Sequence, residues 1–147
     1  MKILVLSDSH HTSLETLDFE KFDAVIHCGD YGNSLASFNH RNVFFVKGNC
    51  DIYGEDALLL ELFGKKVYVT HGNQENVKYG LDRLIYRALE KEADVILFGH
   101  THQQMCFIEE GILFLNPGSY PNGYIVILDE EIQLYQEGKI KSVLYRW

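Results

Sequence analysis

Positive charge is scarce in this 147-residue chain: 13 lysines and arginines face 21 aspartates and glutamates, for a formal net charge of −8. Broad electrostatic binding to nucleic acid needs a positive face, so stable binding of that kind is not expected, and only a local positive centre remains open. Cysteine is also sparse and odd in number. Cys28, Cys50 and Cys106 show no paired spacing, which argues against a disulfide framework and for a reducing, cytoplasmic setting. No window approaches the roughly 20 apolar residues of a membrane span. The opening MKILVLSDSHH carries one lysine and a short apolar run ending in polar residues, so it reads as a first strand and not as a signal peptide. No linker, low-complexity tract or charge block divides the chain, and its length is that of one domain over residues 1–147.

What is present is a core. Hydrophobic residues make up 46% of the chain, with nine tyrosines and nine phenylalanines, which fits a globular protein and excludes a disordered tail. Short apolar runs at Lys2–Leu6, Ala24–His27, Val43–Val46, Val67–Thr70, Val95–Phe98 and Ile112–Leu115 mostly lack polar alternation, as strands covered on both faces do. Helical candidates lie between them at Ser13–Phe22, Ser34–Asn39 and Val77–Glu92. In the last, Val77, Leu81, Leu84, Ile85, Ala88 and Leu89 recur every three or four residues, opposite Arg83, Arg87 and Lys91. The final third changes character. Strand-like segments at Met105–Glu109, Ile112–Leu115, Tyr124–Leu128, Ile132–Tyr135 and Ser142–Tyr145 alternate with turns such as EEG, NPGSYPNG and QEGK. The chain thus begins as βαβ units and ends as hairpins, an α/β pattern.

The chemistry-bearing residues cluster at the tips of the early strands. The strand ends read LVLSDSH, VIHCGD, VFFVKGN, VYVTHG and VILFGHTH, each placing Asp, His or Asn just beyond an apolar run. In open α/β sheets, sites form outside the carboxyl ends of strands, so these tips could converge. Together they would supply Asp8, His10, Asp30, Asn49, His71, His100 and His102, a set that describes two metal ions better than one. Carboxylate, amide oxygen and neutral imidazole suit divalent manganese, iron, zinc, nickel or cobalt, and the lack of thiolates argues against a closed structural zinc. In Asp8-x-His10 and His100-x-His102, alternate residues of an extended chain would reach one centre from one side. Gly29, Gly48, Gly72 and Gly99, beside these residues, would allow sharp turns and leave room for a substrate.

The ordered series DSH, GD, GNCD, THG, GHTH and NPGS, from residue 8 to residue 119, resembles the calcineurin-like metallophosphoesterase superfamily, in particular its small single-domain bacterial and archaeal phosphodiesterases. The resemblance implies a four-layer α-β-β-α sandwich, two mixed sheets flanked by helices, with a dinuclear site at the strand ends. It implies that Asp8, His10 and His102 hold one metal, that Asn49, His71 and His100 hold the other, and that Asp30 bridges them. Manganese is the first choice of metal, with nickel, iron, zinc, cobalt or magnesium as alternatives. The implied reaction is hydrolysis of small phosphodiesters by a hydroxide bridging the ions. Two divalent ions bring +4, the two aspartates and a bridging hydroxide offset three, and the remaining positive charge lets an acidic protein bind a phosphate anion. Ions about 3.5–4 Å apart acidify a shared water and neutralise charge on the phosphoryl oxygens. The histidines must be neutral to ligate, so activity should fall in acid. Asn49 could also help position the phosphate.

Many relatives carry histidine where this chain has Cys50 in GNCD, and that histidine is thought to protonate the leaving group. His11, adjacent to the ligand pair in DSHH, is the candidate to take over that role, against a plain surface histidine. His27, inside the apolar run AVIHCGD, is expected to be a buried hydrogen-bonding residue. His40 is expected in solvent, and Cys28 and Cys106 are expected to act as small apolar residues. Asn116, Gly118 and Ser119 of NPGSY would form a turn or close the edge of the site. The loops around Asn33–Asn39 and Ile52–Leu58 carry few distinctive recognition groups, while Tyr31, Tyr53 and Tyr120 could stack a base or a phenyl ring, or form rim packing. The retromer scaffold subunit resembles the same fold without the enzymes' ligand pattern. Here all seven positions are filled, which favours an enzyme over a protein-binding scaffold. The C-terminal end, VLYRW, could offer an edge or aromatic surface for a homo-oligomer.

Overall fold

A computed structural model of the chain describes residues 1–141, 143 and 145–147. In chain order the strands are β1 (Lys2–Leu6), β2 (Ala24–His27), β3 (Val43–Phe45), β4 (Ala57–Leu62) and β5 (Lys65–Thr70). The helix α1 (Asp82–Glu90) follows, then β6 (Val95–Leu97), β7 (Met105–Glu109), β8 (Ile112–Asn116), β9 (Gly123–Leu128), β10 (Glu131–Gln136) and β11 (Lys139–Lys141). They form two mixed sheets, ordered β11-β10-β9-β1-β2-β3 and β4-β5-β6-β8-β7. In each, three parallel strands carry the early motifs and antiparallel strands extend the sheet.

Alternation along each strand divides the core into three layers. Ile3, Val5, Ala24 and Ile26 of the first sheet meet Val67, Val69, Val95 and Leu97 of the second between the sheets. The opposite side of β1, Leu4 and Leu6, packs with Leu14, Phe19 and Phe38 on the outer face of the first sheet. Tyr68, Ile96, Phe98 and Phe114 pack under Val77, Leu84 and Ala88 on the outer face of the second. Burying one side chain of Leu84's size contributes about 1.5–3 kcal/mol, and losing it would leave a cavity between helix and sheet. The sandwich is therefore the expected one, with thin outer layers: one α-helix and three short 3-10 turns among the described residues.

The differences from the expected elements have local causes. Ser13–Phe22 forms only a 3-10 turn at Phe19–Lys21, because Ser13 Oγ accepts from Glu15 N–H and Asp18 caps Glu20 N–H, giving the backbone alternatives to a helix. Leu14 and Phe19 still reach the core. Ser34–Asn39 likewise gives a 3-10 helix at Ser34–Phe38. The stretch Val77–Glu92 breaks at Gly80, whose φ of 139° suits glycine, into a 3-10 turn and α1. Leu89 falls off the stripe and is exposed. β4 had no counterpart in the sequence pattern. Its ALLLEL carries no β-branched residue, and it is placed by a two-residue turn, Phe63-Gly64, with both φ positive. The strand expected at Ser142–Tyr145 falls partly outside the described residues. Before it the chain adds β11, an edge strand that begins and ends with lysine, and Tyr145 and Trp147 pack against the inter-sheet core. No helix among the described residues is long and apolar enough to cross a membrane.

Candidate metal centre

The loops after β1, β2, β3, β5 and β6 leave the sandwich at one end and bring all seven predicted ligands together. Two groups made only of predicted ligands have donor atoms within 4.8 Å of one another, Asp8, His10 and His102, and Asp30, His71 and His100, and a third group brings the exposed Cys50 thiol to His10 and Asp30, against the expectation that no thiol stands at these tips. The groups interlock. His71 Nε2 lies 3.3 Å from Asp30 Oδ2, 3.8 Å from Asp8 Oδ1, 3.0 Å from Asn49 Oδ1 and 3.2 Å from His100 Nδ1. His10 Nε2 lies 4.0 Å from Asp8 Oδ1 and 3.9 Å from Asp30 Oδ2, so the carboxylates stand between the imidazoles.

The pairs Asp8/His10 and His100/His102 converge, but not as alternate residues of an extended chain. The strands end at Leu6 and Leu97, and Asp8, His10, Asp30, His100 and His102 all have φ between 43° and 71°. For such residues this left-handed region costs on the order of 1–3 kcal/mol each, a strain that persists where the surroundings over-determine it and that marks functional sites. Gly29 and Gly72, with φ of 102° and 107°, make the expected turns, whereas Gly48 and Gly99 act differently. A Cβ at Gly99 would collide with Ser7 Oγ and crowd Asp8 Oδ2, and one at Gly48 would collide with Asp30 Oδ1. They make room for the predicted ligands themselves.

Hydrogen bonds from behind aim the donors. His71 Nδ1 donates to the Cys28 carbonyl at 2.7 Å, which fixes the tautomer and turns the Nε2 lone pair into the site. Asp8 Oδ2 accepts from Ser7 Oγ and from His100 N–H, while Asp8 Oδ1 is buried with no hydrogen-bond partner, although His102 Nε2 is 3.1 Å away. An orphaned buried carboxylate oxygen facing imidazoles costs about 1–3 kcal/mol or more unless a cation satisfies it.

The electrostatics agree. Burial disfavours the ionised form of Asp30, but the His71 ring and the Cys50 N–H outweigh it and hold this carboxyl down at about 2. Burial opposes charge on His71 as well, yet its contact with Asp30 and the charges of Asp8 and Asp30 raise its proton affinity. His100 is shifted down by burial and by His71 and Lys78. The site thus keeps the Asp30 carboxylate ionised, and the mixed oxygen and imidazole donors suit a divalent ion.

Sequence reasoning missed Asp51. Its carboxylate accepts from Asp30 N–H at 2.7 Å, Gly48 N–H at 2.7 Å and Tyr31 N–H at 3.2 Å, tying the Asp30 loop to the Asn49 loop. The signal was its place as the last residue of GNCD. His27 is fully buried and neutral: Nδ1 accepts from Gly29 N–H and Nε2 bonds Ser9 Oγ, with burial the main cause of a proton affinity lowered to about 3. Asn116 forms both a turn and a closure, accepting from Gly118 N–H and donating to the Gly99 carbonyl, and Ser119 Oγ donates to the Asp8 carbonyl. Tyr31 is buried with its hydroxyl on the Tyr53 carbonyl and cannot stack a ligand. His11 is exposed beside His10 and belongs to neither triad, and Cys50 is exposed with its backbone N–H on Asp30 Oδ1. A 480 Å³ cavity lined by Tyr120, Tyr124 and Tyr135 lies on the outer face of the first sheet, and none of the seven residues walls it.

Comparison with known proteins points the same way. The profile of the calcineurin-like phosphoesterase superfamily domain matches residues 1–125. The chain is 40% identical over 126 residues to the probable metallophosphoesterase YsnB of Bacillus subtilis, covering 81% of this chain and 75% of the relative. It is 29% identical to the phosphodiesterase MJ0936 of Methanocaldococcus jannaschii, over 93% of this chain and 98% of the other. A Streptococcus pneumoniae protein described as a predicted phosphoesterase superposes with a TM-score of 0.79 at 32% identity, covering 97% and 96% of the two chains. Vacuolar protein sorting 29 of Cryptosporidium parvum shares the fold, with a TM-score of 0.78 at 18% identity and coverage of 99% and 97%.

Proposed function

The chain belongs to the calcineurin-like phosphoesterase superfamily, and from that premise we propose that it is a single-domain, dinuclear, metal-dependent phosphodiesterase of the cytoplasm acting on small phosphodiesters. The observation that carries the reading is Asp8 Oδ1, buried without a partner among imidazoles whose ring nitrogens converge on it. Asp8, His10 and His102 would hold one divalent ion, Asn49, His71 and His100 the other, and Asp30 both. Manganese is favoured, with nickel, iron, zinc, cobalt or magnesium as substitutes. Two ions so held supply an acidified water as nucleophile and positive charge for the phosphoryl oxygens.

The chain's own residues do the rest. The carbonyl of Cys28 keeps the proton on His71 Nδ1, so Nε2 stays a donor to metal. Asp51 fixes the distance between the loops of Asp30 and Asn49. The exposed amide of Asn49 orients a phosphate oxygen. His11, next to His10 and open to solvent, donates a proton to the departing oxygen where Cys50, a thiol whose proton affinity burial and Asp30 raise, is a poor acid.

The experiment is hydrolysis of bis-p-nitrophenyl phosphate and p-nitrophenyl phosphate by chelated protein, then after manganese, nickel, zinc or magnesium. Turnover restored by metal, with the diester preferred, is the expected result. Stoichiometric metal binding with no turnover on either compound would overturn it in favour of a protein-binding scaffold on the same fold. His11→Ala is expected to slow a substrate with a poor leaving group by about 10²-fold and the nitrophenyl diester far less. Equal loss on both, or none, would remove His11 from the mechanism.

A further inference from the structure

We infer that the leaving group of the natural phosphodiester is a glycerol-sized polyol seated in the cavity beside His10. The inference rests on the phosphodiesterase reading and specifies its substrate. The cavity measures 170 Å³ and lies between the loops that follow β1 and β2. At about 30 Å³ per water it has room for roughly five or six waters, the bulk of a small alcohol and much less than a nucleoside. Its wall includes His10, the residue it shares with the Asp8, His10 and His102 group, and also includes His11, the proposed proton donor. A group held there departs next to the acid that must protonate it.

The lining chemistry selects the occupant. Thr12, Asn33, Ser34 and Ser37 present three hydroxyls and a carboxamide. Asn33 sits at the start of a 3-10 helix without capping it, which leaves its amide for a ligand. Such groups both donate and accept, as the adjacent hydroxyls of a polyol require. No Phe, Tyr or Trp lines the cavity, whose only rings are the imidazoles of His10 and His11, so the room between them and the hydroxyl wall suits a small alcohol better than a base or phenyl ring. Glu15 in the wall disfavours a second phosphate or a carboxylate on the leaving group. A site built to hydrogen-bond hydroxyls rejects analogues lacking them, because its own polar groups are then left unpaired.

Ser37 is half-buried in this wall and is none of the seven metal-centre residues. The test compares kcat/KM for bis-glyceryl phosphate and for bis-p-nitrophenyl phosphate in the wild type, S37A and S37L, all loaded with the same metal. The ratio of the two cancels the intrinsic reactivity of the leaving groups when variants are compared. It should fall at least tenfold in S37L, which fills the cavity, and about threefold in S37A, which removes one hydroxyl. A second readout is calorimetric binding of glycerol 1-phosphate against inorganic phosphate: the glyceryl compound should bind tenfold more tightly to the wild type and equally to S37L. Turnover of the nitrophenyl diester with an unchanged ratio in both variants would overturn the inference and leave the phosphodiesterase standing. No turnover of either diester with any metal would overturn the phosphodiesterase reading itself. If S37L fails to fold by circular dichroism, S37A carries the same decision.

Discussion

The two groups of the metal centre differ in how much of their geometry the chain provides. His71 and Asp30 are almost fully buried, at 0% and 3% side-chain exposure, and are held by the Cys28 carbonyl, the Cys50 N–H and Asp51. His10 and His102 are 36% and 49% exposed. Buried hydrogen bonds fix His71 and Asp30 before any ion arrives, whereas in the other half only Asp8 is so held, by Ser7 Oγ and the His100 N–H, and its two histidines would be ordered by the ion and the substrate. Preorganised donors bind more tightly, so the two ions should differ in affinity, the inner one held and the outer one exchangeable.

The largest expected effect comes from Asp30, the residue proposed to hold both ions. Asp30→Ala should lower kcat/KM by on the order of 10³-fold or more, since losing the charge between the ions removes several kcal/mol of transition-state stabilisation, and cobalt titration should show both affinities weakened. The sharper test separates the halves. His71→Ala should weaken the tighter ion on the order of 10²-fold, and His102→Ala should weaken only the looser one, about tenfold, both read from a two-site metal titration. The reverse order would break the comparison. Asp51→Ala touches neither donor set but leaves the N–H groups of Asp30, Gly48 and Tyr31 without their acceptor. A stability loss of about 1–3 kcal/mol in denaturant unfolding is expected, with a parallel fall in turnover and partial rescue by Asp51→Asn.

The same contrast explains what could be read from the sequence. The parallel strands β1, β2, β5, β6 and β8 are covered on both faces and so appear as unbroken Val, Ile and Phe runs, and the polar residues at their tips stand out against them. The strand positions thus made Asp8, His10, Asp30, Asn49, His71, His100 and His102 visible as a set. β4 was not visible because its leucines alternate only weakly and its pairing is set by the turn at Phe63-Gly64. The helix expected at Ser13–Phe22 dissolved because short-range side-chain hydrogen bonds competed with it, and the same stretch contributes Ser13, Leu14 and Glu15 to the wall of the cavity beside His10. Asp51 was harder to read: its place in GNCD was the one local signal, and two of its three partners, the N–H groups of Asp30 and Tyr31, lie about 20 residues away, which no local spacing reports. The left-handed backbone at five of the seven residues was equally silent, since strain there is imposed by tertiary contacts.

The smallest effect concerns what stands behind the inner half. His27 joins the loops of both groups, bonding Ser9 on one side and Gly29 on the other, and only its neutral form can accept from Gly29 N–H. In the unfolded chain it takes a proton near pH 6.5, and in the folded protein only near 3, burial being the chief cause. Between those values the unfolded state binds the extra proton. The stability tied to His27 is therefore complete above about pH 6.5 and declines as pH falls toward 3, by up to about 1.4 kcal/mol per unit. His71 acts in the opposite sense in the metal-free protein, because its raised proton affinity favours the folded state in acid. The two should partly cancel in the wild type. The contribution of His27 is isolated by subtracting the unfolding free energy of His27→Gln, which cannot titrate, from that of the wild type at pH 7.5, 6 and 5. The difference should shrink as pH falls. If it stays flat, His27 is not held neutral, and the rigidity ascribed to the inner half must come from Asp51 and the Cys28 carbonyl alone.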